Sequence, residues 1–266
     1  MNIKKWIILG SMTVAAAAML AGCGGQEKQA EQKLPDKIVI GLDDNFPPMG
    51  FRDDNGELVG FDIDLAKEAG KRLGIPVEFK PIDWDSKEAA LKSKQVDMLW
   101  NGLTITEDRG KQIAFSKPYL NNAQILVVRA DSLITDRAGL AGKIIGTQEG
   151  SSSVEALDKQ ADFKNSLQDV KKYGDFVAAF MDLEVGRTDG LLVDSVVGRY
   201  YMNKKPGKFK VIDDKMGDEQ YGIGMRQEDT LLQEKLNGVL KDMSADGTMT
   251  KLSQKWFNED ITIKVQ

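Results

Sequence analysis

Short apolar strand signals alternate with amphipathic helix signals along this chain, and the cycle starts again near its midpoint. Residues 37–42 (KIVIGL) read as a buried strand. Residues 62–73 place Ile63, Ala66, Gly70 and Leu73 on one helical face, with Gly74 as a stop and Pro76 beyond it. A strand is predicted over 77–82, a helix over 86–93, and strands over 96–100 and 123–129. The cycle restarts at 143–147 (KIIGT), with a helix over 152–159, a strand over 169–173, a helix over 176–183 and a strand over 190–193. Alternation of this kind predicts two tandem α/β units, each with a mostly parallel sheet covered on both faces. A strand over 221–225 and helices over 230–243 and 249–257 close the chain, and connectivity alone does not assign them to either unit.

The N-terminus has a different character. Lys4 and Lys5 precede an apolar, Ala-rich run that ends in Leu20-Ala21-Gly22-Cys23, the bacterial lipoprotein-processing pattern. The run falls short of the about 20 strongly apolar residues that a membrane span needs. Residues 1–22 are therefore expected to be a signal peptide, Cys23 a lipidated N-terminus, and residues 23–36 a flexible polar tether. Cys23 is the only cysteine, so no disulfide is available, and about 230 residues remain to bury a core by packing alone.

Composition excludes several chemistries. There are 36 Lys and Arg against 41 Asp and Glu, a net charge of −5, which argues against nucleic acid as a partner. With no histidine and one cysteine, the common zinc sites, the Ser-His-Asp triad and the Cys-His pair are unavailable. An enzyme built on carboxylates or lysine stays open, but binding is the better default. No cofactor or metal is expected. Asp53-Asp54-Asn55-Gly56-Glu57 lacks the spacing of a calcium loop and reads as a hairpin turn.

Open α/β sheets bind ligands at the carboxyl ends of their strands. Four loops lie at such ends: Asp43 to Phe51, Asn101 to Arg109, Gln148 to Ser153, and the turn at Asp194. The linked motifs VGFDIDLAKEAGKRLG (59–74), NGLTITEDRGKQIAFSKPY (101–119), GTQEGSSS (146–153) and GRTDGLLVD (186–194) closely resemble the polar-amino-acid family, family 3, of bacterial extracellular solute-binding proteins. The likeness runs from about residue 37 to 257. It implies a two-lobed α/β fold of the periplasmic-binding-protein kind, type II, with two hinge strands. Lobe 1 would be 37–127 plus 221–266 and lobe 2 would be 128–220.

The resemblance also implies a set of ligand contacts. Arg109 matches the arginine that grips the ligand α-carboxylate, Thr104 the donor of amide and hydroxyl, and Gly102 the carbonyl that accepts from the α-ammonium. Ser152 and Ser153 match amides at a helix N-terminus that meet the carboxylate, and Asp194 matches the carboxylate paired with the ammonium. Asp43, Phe46, Met49, Trp84, Asn101 and Gln148 resemble the side-chain pocket, with Phe46 and Trp84 placed to sandwich an aliphatic or guanidinium chain. Asp44 adds a second acid, which strand alternation points away from Asp43. Trp100 is expected in the core.

The function implied is that of a monomeric lipoprotein that captures a free polar L-amino acid (basic, glutamine or cystine) and delivers it to the membrane permease of an ABC importer. It would be exported and held by its lipid to the outer face of the cell membrane, or lie in the periplasm of a two-membrane cell. Two alternatives share the fold: a dehydratase using a cleft carboxylate as general acid, and a protein that presents its ligand to a signalling partner.

Overall fold

A computed structural model of the protein describes residues 33–266, the side chains of 213–215 excepted. The expected signal peptide, Cys23 and most of the expected tether therefore lie outside the described residues. The last tether residues do not behave as a free linker, because Leu34 packs against the main apolar core.

In chain order the first elements are β1 (Ile38–Leu42), β2 (Asn45–Phe46), β3 (Gly50–Arg52), β4 (Leu58–Val59), α1 (Phe61–Leu73), β5 (Val77–Pro81), α2 (Lys87–Lys92), β6 (Met98–Leu99), α3 (Glu107–Gly110) and β7 (Ala114–Phe115). There follow β8 (Leu120–Arg129), β9 (Ile144–Gln148), α4 (Ser152–Asp158), α5 (Ala161–Ser166), β10 (Asp169–Tyr173), α6 (Phe176–Glu184), β11 (Gly190–Asp194) and α7 (Ser195–Lys204). The chain closes with β12 (Phe209–Tyr221), β13 (Gly224–Met225), α8 (Thr230–Ala245) and α9 (Thr248–Phe257).

Two five-stranded sheets result, ordered β5-β1-β6-β13-β7 and β10-β9-β11-β8-β12, with β2, β3 and β4 in a small third sheet. Each large sheet is parallel through its first three strands and antiparallel in its last two. The sheets are thus mixed rather than mostly parallel. The reason lies in the two connections between them: the chain leaves the first sheet after β7 and re-enters it at β13, and β8 and β12 run antiparallel to each other over their full length. The boundary expected at 127/128 falls within β8.

Local chemistry accounts for the elements that position the loops. Helix α1 buries Phe61, Leu65, Ala66 and Ala69 and stops at Gly74, whose φ of 70° suits a left-handed cap that a side chain would strain. The amide of Ile75 then returns to the Gly70 carbonyl at 2.9 Å. The 53–57 segment is the expected hairpin turn between β3 and β4, held by Asp53, which accepts from the amides of Asn55 and Glu57. The C-terminal helices pack on the first sheet's α1: Arg72 donates to Asp246 and Thr248, and Asp64 accepts from Lys255 and Trp256. One apolar cluster runs through both sheets and includes Trp100, as expected, with Phe61, Tyr119, Tyr221, Phe176 and Leu191. Burial on this scale is the main stabilising contribution, at about 25 cal/mol per Å² of apolar surface.

Candidate functional site

Asp43 emerges from the end of β1 into the interior. Its carboxylate accepts from the Asn45 amide at 2.9 Å and from the Gln148 side-chain amide at 2.7 Å, and its carbonyl accepts from Asn101 at 2.6 Å. Gln148 ends β9 of the other sheet, so this bond joins the two sheets directly. The Gln148 nitrogen also donates to the Gly174 carbonyl, and its buried Oε1 has no partner. Burial pushes the Asp43 carboxyl up to about 6, against the lowering effect of its two donors. Asp44 turns the other way, as expected, and pairs with Arg52 at 2.6 Å, but both acids lie beyond the last residue of β1, so the turn rather than strand alternation separates them.

The aromatic residues engage neighbours of their own. The Phe46 ring lies 5.9 Å from that of Phe176 at the start of α6, and Met49 is fully buried in the same cluster. Trp84 is buried beside α2, with the Lys87 ammonium 5.2 Å from its ring centre. That ammonium donates to the carbonyls of Trp84 and Gly150, and burial lowers its pKa to about 8. The cation on the Trp84 face is thus the protein's own.

The turn after β6 carries Asn101, Gly102 and Thr104. Asp62, in the first turn of α1, accepts from the Gly102 amide at 2.7 Å and from the Tyr119 hydroxyl at 2.9 Å, and burial pushes its carboxyl up to about 7. Gly102 has φ of 59°, and a Cβ there would stand 2.7 Å from the Phe46 ring and 3.2 Å from Tyr221. Gly102→Ala is therefore expected to cost about 2 kcal/mol or more, lowering the melting temperature by roughly 5 °C or more. An unchanged melting curve would remove the steric account of this glycine.

A second polar group surrounds Glu219 of β12. Its Oε2 accepts from Thr104 Oγ1 (2.9 Å), Asn122 Nδ2 (3.0 Å) and Gln124 Nε2 (3.0 Å), and Ser152 Oγ lies 3.2 Å away. Ser152 donates to Thr104 at 3.0 Å, and Ser153 to Gln124 at 2.6 Å. Asp194, buried at the end of β11, accepts from Asn122 at 2.6 Å and from the Tyr221 hydroxyl at 2.7 Å. Burial, reinforced by the charge of Glu219, raises the Asp194 carboxyl to about 7.

Arg109 sits on α3, whose N-terminus is capped by Thr106. Its guanidinium donates to the Thr104 carbonyl at 2.9 Å and to the Gly150 carbonyl at 3.0 Å, with Glu88 and Glu155 each 3.7 Å away. It thereby straps the β6 loop to the turn before α4.

All twelve residues singled out from the sequence are buried. Their polar side chains divide into an Asp43–Asn101–Gln148 group and a Thr104–Ser152–Ser153–Asp194 group, with Arg109 bonded to the second through Thr104. Sequence reading missed Asn122, Gln124, Glu219 and Tyr221, which knit the second group together, and Lys87, which joins Trp84 to Gly150. No motif flagged them. Around the two groups stand five carboxylates (Asp43, Glu88, Glu155, Asp194, Glu219) against two cations (Lys87, Arg109), an acidic excess suited to a cationic guest. Among the described residues no group of three or more Asp, Glu, Cys or His could hold a metal ion.

The three raised carboxyls carry a pH consequence. Asp43, Asp62 and Asp194 hold their protons up to about 6, 7 and 7, whereas the unfolded chain releases them near 3.8. Between those limits the folded state binds more protons, so stability falls as pH rises from about 4 to 7. Asp246, lowered to about 2, acts in the opposite sense, and its contribution is lost only as pH drops below about 4. The ligand-free protein is expected to melt several degrees higher at pH 5 than at pH 7.5. A higher melting temperature at pH 7.5 would contradict the burial of these acids.

Comparison with known proteins gives this site a context. Residues 38–259 match the family described as bacterial extracellular solute-binding proteins, family 3. The L-cystine-binding protein TcyJ of Escherichia coli (strain K12) is 32% identical over 98% of both chains. The ABC transporter arginine-binding protein 1 of the same strain is 34% identical over 84% of this chain and 91% of its own. Among solved structures, the substrate-binding protein of an ABC uptake transporter from Streptococcus pneumoniae with bound histidine is similar at a TM-score of 0.82. It shares 38% identity, over 86% of this chain and 95% of that one.

Proposed function

Because the chain belongs to the bacterial extracellular solute-binding proteins of family 3, we propose that it captures a free polar L-amino acid (basic, glutamine or cystine) between two lobes and delivers it to the permease of an ABC importer. The observation that carries this reading is the buried polar chain from Thr104 and Ser152 through Glu219 and Asn122 to Asp194, which draws groups from both sheets to one point. The names of relatives that bind cystine and arginine, and of a structure holding histidine, support the ligand class.

The two sheets serve as the lobes, and the segments between β7 and β8 and between β12 and β13 serve as hinges. The bonds Asp43–Gln148, Ser152–Thr104, Arg109–Gly150 and Lys87–Gly150 each join the two lobes, so opening breaks them together. An amino acid entering the open cleft replaces some of them with bonds to its own charges and stabilises closure by its differential affinity. Arg109 and the amides of Thr104, Ser152 and Ser153 receive the carboxylate, while Asp194 and the Gly102 carbonyl receive the ammonium. The far end of the ligand lies toward Asp43, where the carboxylate and the unpartnered Gln148 oxygen call for a donor. The acidic excess favours a cation in that place.

The protein works as a monomer that binds and transfers its ligand without transforming it. Export by the N-terminal signal and lipidation at Cys23 would hold it at the outer face of the membrane, beside its permease. A thermal-shift screen of the purified protein, freed of ligand by unfolding and refolding, against the twenty amino acids, cystine and ornithine tests the reading. Ligand at 100 times its dissociation constant adds about 2.7 kcal/mol, or roughly 5–10 °C for a chain of this size. Folded protein that responds to none of them would sink the assignment.

A further inference from the structure

The resemblance that names Asp194 as the ammonium partner is silent on Glu219, yet Glu219 holds the centre of the buried network. Thr104 donates to its Oε2, as do Asn122 and Gln124 from β8, and Ser152 Oγ lies 3.2 Å away while donating its one proton to Thr104. The Asn122 amide nitrogen is shared between Glu219 and Asp194, at 3.0 and 2.6 Å, which sets the two carboxylates side by side. Two partly or wholly buried acids held together by neutral donors have their mutual repulsion relieved by a proton or by an incoming cation. The Thr104 hydroxyl has one proton and two lone pairs. Its proton goes to Glu219 and one lone pair accepts from Ser152, which leaves the other lone pair for an incoming donor.

On the amino-acid-binding reading above, we propose that Glu219 is a positioning residue and the second acidic determinant of the α-ammonium site. It takes the Thr104 proton, so that this hydroxyl faces the ligand as an acceptor, and its charge adds to that of Asp194. The donors around it are amide and hydroxyl groups that hold it at this point in the closed state. Glu219 therefore serves ligands with a free α-ammonium and adds little for analogues without one.

Isothermal titration of the whole protein with L-arginine, L-histidine and L-cystine as probes, wild type against Glu219→Gln, tests this. The glutamine is isosteric and its Oε1 still accepts from the surrounding donors, so the variant removes the charge while keeping the shape. The expected result is an affinity lower by about tenfold or more for each probe that binds, with weaker dependence of Kd on salt and a ligand-free melting temperature within a few degrees of wild type. Unchanged affinity overturns the proposal. Tighter binding overturns it too, since it would mean that Glu219 competes with the ligand carboxylate for the same donors. An affinity loss with unchanged salt dependence and a large fall in melting temperature makes the role structural only, which also overturns it. Wild-type protein that binds none of the three probes removes the proposal together with the reading under it, whereas wild-type binding that survives in Glu219→Gln removes the proposal alone.

Discussion

Asp194→Asn is expected to weaken amino-acid binding by about 100-fold or more while leaving the protein folded. The asparagine keeps an acceptor for Asn122 and Tyr221, which donate to this carboxylate at 2.6 and 2.7 Å, and it removes only the charge. An α-ammonium closed into the cleft then lacks its main counter-ion, and an uncompensated buried charge costs about 3–5 kcal/mol. Every 1.4 kcal/mol is tenfold in affinity, so the loss is at least about 100-fold. The same substitution is expected to raise the ligand-free melting temperature slightly at pH 7.5, because the native carboxyl is held up to about 7 and resists the ionisation that this pH imposes. Titration calorimetry and a melting curve read both effects. An affinity within a few-fold of wild type would show that Asp194 does not pair with the ammonium.

Arg109→Ala should be about as damaging, for a different reason. The guanidinium makes two charge-assisted bonds, to the carbonyls of Thr104 and Gly150, and lies 3.7 Å from both Glu88 and Glu155. Its loss takes the cation from Glu155 and leaves Glu88 to Lys87, 3.2 Å away, a lysine whose own charge burial already disfavours. The closed form should lose about 3 kcal/mol or more, and binding about 100-fold, through faster release of ligand. Arg109→Lys should recover only a small part, because one ammonium on a flexible stem cannot span two acceptors set by a planar fork. Stopped-flow release of a bound amino acid separates the cases. If the lysine variant releases ligand at the wild-type rate, charge alone suffices and the fork geometry is irrelevant.

Much of the fold can be read from local pattern. The stretch 62–73 carries its apolar face at helical spacing and ends on Gly74, and the structure has α1 over Phe61–Leu73 with Gly74 in the left-handed cap. The KIVIGL and KIIGT runs are strands, and residues 169–173 form β10 as expected. Each of these segments contains its own instruction, an apolar period together with a stop signal. The opposite orientations of Asp43 and Asp44 agree with expectation, but they arise in the turn after β1 and not from strand alternation. The four N-terminal residues FKVI apart, the β12 sequence FKVIDDKMGDEQY is a mostly polar run with an internal glycine, and nothing local marks that part as a strand. It is one because β8 offers a matching ladder, with bulges that absorb the misfit near 212–217. Helix α7 has Gly198 and two tyrosines where helix formers would be expected, and a Cβ at Gly198 would stand 2.8 Å from the tip of the Ile125 side chain.

What the sequence by itself determined is therefore the set of α/β units, the loops at their strand ends and the family those motifs share. Spacing along the chain encodes which face of an element is buried and which residue types stand at its end. What only the tertiary structure decided is the mixed sense of the sheets, the partners of Arg109 and Trp84, and the central place of Glu219. Asn122 and Glu219 are 97 residues apart in the chain and Thr104 and Glu219 are 115 apart, yet each pair lies within hydrogen-bond distance. No local period records such a meeting, because strand pairing brings it about, and apolar burial around it offsets the cost of taking its charges out of water.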